Sequence, residues 1–341
     1  MKCPISPTLL TLSLLVASPA LADHGGPGSG IASGGGLNTV SAGTMDEGHW
    51  AAAFRFALAR PDQLSDAELL SRDAGGIDAH SARSVSSSSL GIAYGVTHEL
   101  TIAAELPYFR RADIRAVEGA AAVNRGSSAG FGDLTFTAKY KALHGDNWAL
   151  ALLAGVKAPT GATHRRDRAG DRFETEHQPG TGSWDPIAGV AASLALGSNA
   201  VDASWIYQKA TRGAQHTRLG DRSQAGVAFS HRFGKHEPPH EHHHDDGDAS
   251  DHDHDHDAHQ RHASVDTIIE LNEEWEGRES VASAIAPDSG ASVLWLSPGV
   301  RLTSKAGWSM SSSFGVAIAQ HVRASHPNNN YRLSLSLGRY F

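Results

Sequence analysis

Ten histidines, His236, His240, His242, His243, His244, His252, His254, His256, His259 and His262, fall in one short stretch. Nine carboxylates, from Glu237 to Asp257, are interleaved with them. Neutral imidazole is a good ligand for Zn2+, Cu2+ and Ni2+, and carboxylates can complete the sphere. The tract is therefore expected to bind divalent transition metals, less tightly as imidazoles protonate near about pH 6. The other reading is a solvated acidic linker. Beyond Met1 the chain has only Met45, Met310 and one cysteine, Cys3, so a soft copper(I) site is not expected. Residues 235–263 offer almost nothing apolar to bury and are predicted to be a disordered insertion. Nothing in the sequence calls for a resident cofactor.

A second set of charges is spread along the chain: Arg55, Glu105, Asp133, Lys139, Lys157, Asp185, Asp202, Glu270, Glu274 and Arg332. Most lie opposite apolar residues in alternating segments. They are expected to face a wet lumen, either tuning selectivity or bracing the interior as ion pairs. The stretch 159–183 carries His164, Arg165, Arg166, Asp167, Arg168, Asp171 and Arg172. It could fold inward as a constriction, but an ordinary solvated loop is favoured. Ser86 to Ser89, His231 and Asp266 supply the residue types of a hydrolase, but no spacing marks a triad, so no catalytic site is expected. The glycines from Gly25 to Gly36 lack the strand and helix of a phosphate loop. That stretch reads instead as a flexible leader or a small plug, and residues 23–46 as a whole as a Gly-rich flexible leader.

The elements that must position these residues show a period of two, the strand period. Trp50, Ala52, Phe54, Phe56 and Leu58 share one face, with Arg55 on the other. Eleven more segments follow: 90–96, 100–108, 134–140, 148–156, 184–196, 201–207, 225–233, 265–275, 294–302, 308–322 and 331–341. Val293 and Trp295 break the tenth. These twelve strands of roughly nine to eleven residues suit a tilted bilayer crossing. Only closure pairs every backbone group in lipid, and an even count brings both termini to one side. The expected fold is all-β, a transmembrane antiparallel up-and-down β-barrel over 47–341.

Short connections alternate with long ones, as periplasmic turns alternate with external loops. Strand parity puts the histidine tract on the periplasmic side. Trp50, Tyr108, Trp148, Trp184, Trp308, Tyr331, Tyr340 and Phe341 are expected to form interfacial girdles against outer-membrane lipid. The terminal Phe341 is expected to be read by the barrel-assembly machinery.

The formal charge is -8, nearly all of it in the histidine tract. No basic field remains for a nucleic-acid partner. Lys2, the apolar run Leu9–Val16 and Ala20-Leu21-Ala22 predict a secretory signal peptide over 1–22. No stretch approaches the ~20 apolar residues of a helical span. Mean hydropathy is -0.31, a value that alternation dilutes in barrels.

Several short motifs then fall in a recognisable order. They are Ser41-Ala42-Gly43-Thr44, Gly91-Ile92-Ala93-Tyr94-Gly95-Val96-Thr97, Glu105-Leu106-Pro107-Tyr108 and Gly132-Asp133-Leu134. Pro159-Thr160-Gly161 and Gly180-Thr181-Gly182-Ser183-Trp184-Asp185 complete the series. In these the chain resembles the MetA-pathway phenol-degradation family of outer-membrane β-barrel proteins. The resemblance implies a transporter-like barrel passing small solutes and carries no catalytic residues. The long histidine insertion departs from the family pattern. Two functions follow as expectations: a channel for small solutes, or a metal-handling protein anchored by its barrel.

Overall fold

The computed structural model describes residues 36–233 and 263–341. The expected signal peptide, the first part of the leader and all ten tract histidines lie outside the described residues. The strands are β1 (Trp50–Pro61), β2 (Ser84–Thr97), β3 (Leu100–Glu118), β4 (Ala121–Phe131), β5 (Leu134–His144), β6 (Trp148–Ala158), β7 (Asp185–Leu196) and β8 (Asn199–Gln208). They continue with β9 (Thr217–Arg218), β10 (Arg222–Phe233), β11 (Ser264–Glu276), β12 (Ser280–Val281), β13 (Ala284–Ile285), β14 (Ala291–Thr303), β15 (Trp308–Val322) and β16 (Asn329–Tyr340). One helix, α1 (Asp66–Ala74), lies between β1 and β2.

Twelve strands run around the barrel in the order β2-β1-β16-β15-β14-β11-β10-β8-β7-β6-β5-β3, and a β2–β3 pairing closes it. Each predicted segment matches one of these strands. The first and last pair antiparallel, from Ala51 opposite Tyr340 to Arg60 opposite Tyr331. Several strands are longer than expected, and β3 has 19 residues. Its first half pairs with β5 and its second with β4, a hairpin that stands beyond the barrel rim.

The alternation resolves into an apolar outside and a polar inside. Phe54, Leu90, Ile92, Leu152, Val227, Phe314, Ile318 and Leu337 are all exposed on the outer wall, while Ser89, Asp202, Glu270, Ser313 and Arg332 are buried within. Covering such a side chain is worth about 1.5–3 kcal/mol, and hydrocarbon provides that cover for the whole belt at once. This belt makes the barrel a membrane-spanning one. Tightly connected hairpins define one end and long loops the other. Phe233 and Val265 face each other at the turn end.

Four features depart from the sequence reading, and one break that it noted finds its cause. Helix α1 and β4 occupy stretches expected as plain loop. A small sheet of β9, β12 and β13 sits among the loops. Val293 and Trp295 break the apolar alternation because they face inward, beside a register shift in β14. Tyr340 does not join the girdle: Phe341 points outward, so its neighbour points in, and its hydroxyl donates to Asp46 (2.8 Å).

Candidate functional site

Residues 36–46, expected as the end of a flexible leader, instead cross the lumen as a plug, because the wall supplies partners for their backbone. Their backbone is held by side chains of the wall rather than by strand pairing. The N–H groups of Asn38 and Thr39 donate to Glu270 on β11 at 3.0 Å each. Val40 N–H donates to Ser204 on β8 (3.1 Å), Ala42 N–H to Ser193 on β7 (2.9 Å) and Met45 N–H to Thr101 on β3 (2.8 Å). The Lys139 ammonium donates to Ser41 O, Arg301 to Gly36 O and Arg55 to Asn38 Oδ1. Val40 and Ala42 pack on Ala151, Ile187, Ala191 and Ile206, and Met45 packs on Ala51 and Ala93. An alternating row of serines and charges thus replaces the hydrogen bonds the segment would make to water. Gly95 is required where the segment leaves: a Cβ there would sit 2.0 Å from Asp46 O.

Above the plug lies a cavity of about 220 Å³. That is enough for several waters or one small organic molecule. Of the predicted lumen residues, Arg55, Glu105, Asp133, Lys157, Asp185, Glu274 and Arg332 line it, together with the apolar Pro107, Phe109, Pro179 and Leu219. The other three are lumenal but do not line this cavity. Lys139 and Glu270 hold the plug, and Asp202 accepts from Ser193, the same hydroxyl that receives Ala42 N–H.

Most of the charges are paired. Lys157 bridges Asp133 (3.2 Å) and Asp185 (2.6 Å). Arg332 pairs with Glu274, bonds to Asn272 (2.8 Å) and covers the Trp295 ring at 4.8 Å. The inward Trp295 therefore packs inside the polar interior, its indole N–H donating to Glu274 (3.2 Å).

The Asp133 site gathers three motifs that are far apart in sequence. Its carboxylate accepts from Gly161 N–H (2.9 Å), Thr181 N–H (2.8 Å) and Thr181 Oγ1 (2.6 Å). Gly161 and Gly180 meet backbone to backbone; a Cβ on either would lie about 2.5 Å from the other's atoms. Asp185 accepts from Thr211 N–H (2.8 Å) and Gln208 (3.2 Å). This knot pins the 159–184 loop to the wall.

The loop consequently folds inward, against the favoured expectation of a solvated loop. Phe173, Thr175, His177 and Gln178 are buried. Its charged tip remains outside, on the β3–β4 hairpin, where Asp167 accepts from Arg125 (2.9 Å).

The inward part carries a group that the sequence reading missed. Glu174, Glu176 and His177 meet His80, from the α1–β2 connection, and His326, from the β15–β16 connection. His80 Nδ1 lies 3.1 Å from Glu176 Oε1, and His80 Nε2 lies 3.4 Å from Glu174 Oε2. His177 Nε2 is 3.4 Å from Glu176 Oε1, and His326 Nε2 is 3.8 Å from Glu176 Oε2. Burial works against a charged His80, but Glu176, Glu174 and Asp78 outweigh it and raise the group to about 9. Burial, aided by the charges of His80 and Arg111, holds His177 well below the ordinary histidine range despite Glu176. Among the described residues, His80, Glu174, Glu176 and His177 are the one group whose ligand atoms all lie within 4.8 Å of one another. Glu174, Glu176 and His177 lie close together in sequence, but the fourth member, His80, comes from a separate loop, so the sequence does not announce the group.

The hydrolase residue types do not meet. Ser86 to Ser89 sit toward the loop end of β2. His231 and Asp266 lie at the turn end, where His231 contacts Asn199 and Asp266 accepts from Arg232.

Among solved structures, an outer membrane channel from Pseudomonas putida F1 is similar, with a TM-score of 0.57 and 19% identity, covering 88% of this chain and 97% of that one. The β domain of the Bordetella autotransporter BrkA aligns with a TM-score of 0.45 and 14% identity, over 87% of this chain and 100% of that one. The P. putida toluene transporter TodX aligns at 0.43 and 6%, over 87% and 91%. No curated protein matches the sequence. A family model matches residues 84–266, more than half of the chain and including the Asp133 knot, and the chain therefore belongs to the family described as "Putative MetA-pathway of phenol degradation".

Proposed function

We propose that this protein is a gated conduit of the outer membrane for small organic solutes. The observation that carries the reading is the floor of the cavity. It is built from residues 36–46, a segment outside the barrel wall whose backbone is held by side chains such as Glu270, Ser204 and Ser193. Such a floor can leave without breaking a single strand pair. The lining supports solutes with both a polar and an apolar part, since Arg55, Glu105 and Arg332 share it with Pro107, Phe109 and Leu219. The similar P. putida F1 structure is itself described as an outer membrane channel.

In this reading residues 1–22 direct export, and Phe341 presents the terminal strand to the assembly machinery. A barrel serving only as an anchor would have no use for a cavity and a displaceable floor, which favours the conduit over the metal-handling alternative. The histidine tract remains a proposed periplasmic binding segment for Zn2+, Cu2+ or Ni2+. Zinc titration of the full chain against a variant with the ten tract histidines changed to Asn tests it. Equal zinc uptake by the two would remove that role.

Planar-bilayer recording tests the conduit. The chain lacking residues 24–46 is expected to give steady ion conductance, and the full chain brief or small openings. Heat-modifiable, folded barrels that stay silent in both forms would refute it.

A further inference from the structure

We propose that His80, Glu174, Glu176 and His177 form a binding site for a divalent transition metal of the zinc class, which clamps the loop-end mouth of the barrel. The clamping role rests on the conduit reading; the metal site itself does not.

The donor set is two imidazoles and two carboxylates, without thiolate. That suits Zn2+, with Co2+ as a spectroscopic substitute. Bonds of about 2.0–2.1 Å in a tetrahedron put neighbouring ligand atoms about 3.3–3.4 Å apart. His177 Nε2 and Glu176 Oε1 are 3.4 Å apart, and His80 reaches Glu174 through Nε2 (3.4 Å) and Glu176 through Nδ1 (3.1 Å), so either ring nitrogen already has one carboxylate at ligand spacing. Taking one donor atom from each of the four residues, all lie within 4.8 Å of one another. Small side-chain adjustments suffice to bring the four donors around one ion.

Outer partners already aim the ligands. Arg125 holds Glu174 Oε1 at 3.5 Å and leaves Oε2 turned toward His80. His326 faces Glu176 Oε2, while Oε1 points to His80 and His177. The backbones are fixed as well. His80 N–H donates to Ser325 O (3.0 Å), and Ser81 exchanges backbone bonds with Arg115. Gln178 ties the other strand of the site through Phe173 O (2.7 Å) and Arg165 O (3.0 Å). Preset ligand orientation of this kind is what distinguishes a metal site from a chance cluster.

The location gives the ion a consequence. His80 belongs to the α1–β2 connection and Glu174, Glu176 and His177 to the β6–β7 connection, and His80, His177 and His326 line the cavity. An ion coordinated by all four residues joins two loops across the exit. Its removal leaves them joined by the weaker His80–carboxylate pairs and side-chain packing.

The test uses the full chain with the ten tract histidines changed to Asn, so that zinc bound elsewhere does not mask the site. One zinc per chain is expected at micromolar concentration or tighter, and Co2+ is expected to show the visible bands of a tetrahedral site. His177→Gln and Glu174→Gln should each abolish micromolar binding, and His326→Gln should weaken it about 10- to 100-fold, as loss of an outer-shell partner does. Glu174 is partly exposed, so its variant is expected to fold even where a histidine variant does not; heat-modifiable mobility checks folding. No saturable binding below millimolar zinc in the folded protein overturns the site. Binding that leaves bilayer conductance of the plug-deleted chain unchanged on adding zinc and then chelator overturns the clamp.

Discussion

Substituting Glu270→Ala should release the plug. The Glu270 carboxylate is 1% exposed and receives three donors from the segment: Asn38 N–H (3.0 Å), Asn38 Nδ2 (2.7 Å) and Thr39 N–H (3.0 Å). Hydrogen bonds to a charged group contribute about 1.5–3 kcal/mol each. The freed donors regain water in a polar lumen, so roughly half of the gross loss survives, about 2–4 kcal/mol. At 1.4 kcal/mol per decade, the ratio of seated to unseated plug falls roughly 30- to 700-fold. Two assays read this: open probability in planar bilayers, and labelling of Ser41→Cys by a water-soluble thiol reagent. Ser41 is buried in the seated plug, and the chain's only native cysteine is Cys3. Both readouts should rise in the double variant relative to Ser41→Cys alone. If neither changes while the barrel remains folded, the plug is not held as described and the gating argument fails.

Lys157→Met should lower the temperature of heat-modified migration on gels. It leaves Asp133 and Asp185 buried without their cation, a change that typically costs about 3–5 kcal/mol. Gly161→Val should detach the 159–184 loop, because its added atoms would overlap Gly180; protease sensitivity near Phe173 measures this. Asp221 at the loop end accepts from Lys209 and Tyr207 (both 2.7 Å) and Ala210 N–H (3.0 Å). Burial opposes its charge, but these bonds and Arg218 hold its pKa below the usual carboxylate range. Its stabilisation is therefore complete above about pH 4 and lost as pH falls through the depressed value. Proteolysis of the 209–221 loop at pH 3 against pH 7 should show that loss, and Asp221→Asn should abolish the difference. Phe341→Ala should reduce assembled barrel in membranes without altering the refolded protein, since Phe341 is exposed and its backbone pairs with Trp50.

The wall was legible residue by residue. The run Trp50, Ala52, Phe54, Phe56 and Leu58 needs no partner to declare its face, because strand geometry alone sends alternate side chains to opposite sides. The missed helix also left a local sign. Ser65 and Glu68 form a capping box, with Ser65 N–H donating to Glu68 (2.7 Å) and Glu68 N–H to Ser65 Oγ (3.3 Å), a spacing readable in the chain. Hairpin β3–β4 left a weaker one: Ala112, Ile114 and Ala116 alternate along β3, but Asn124 to Gly130 on β4 has no apolar alternation.

The site was legible only as a list of charged residues. Asp133, Lys157 and Asp185 could be assigned to the lumen from their strand faces, but not to one knot, because neighbours across a barrel are set by register between strands. The fate of 36–46 and the meeting of His80 with His177 lay further out of reach. Both depend on where a non-strand segment crosses a closed space, and local propensity carries no information about that. Period two and length determined the barrel and its outward apolar face. Only the closed tertiary structure decided what fills the lumen, because side chains far apart along the chain share that interior only once the sheet has joined its own edges.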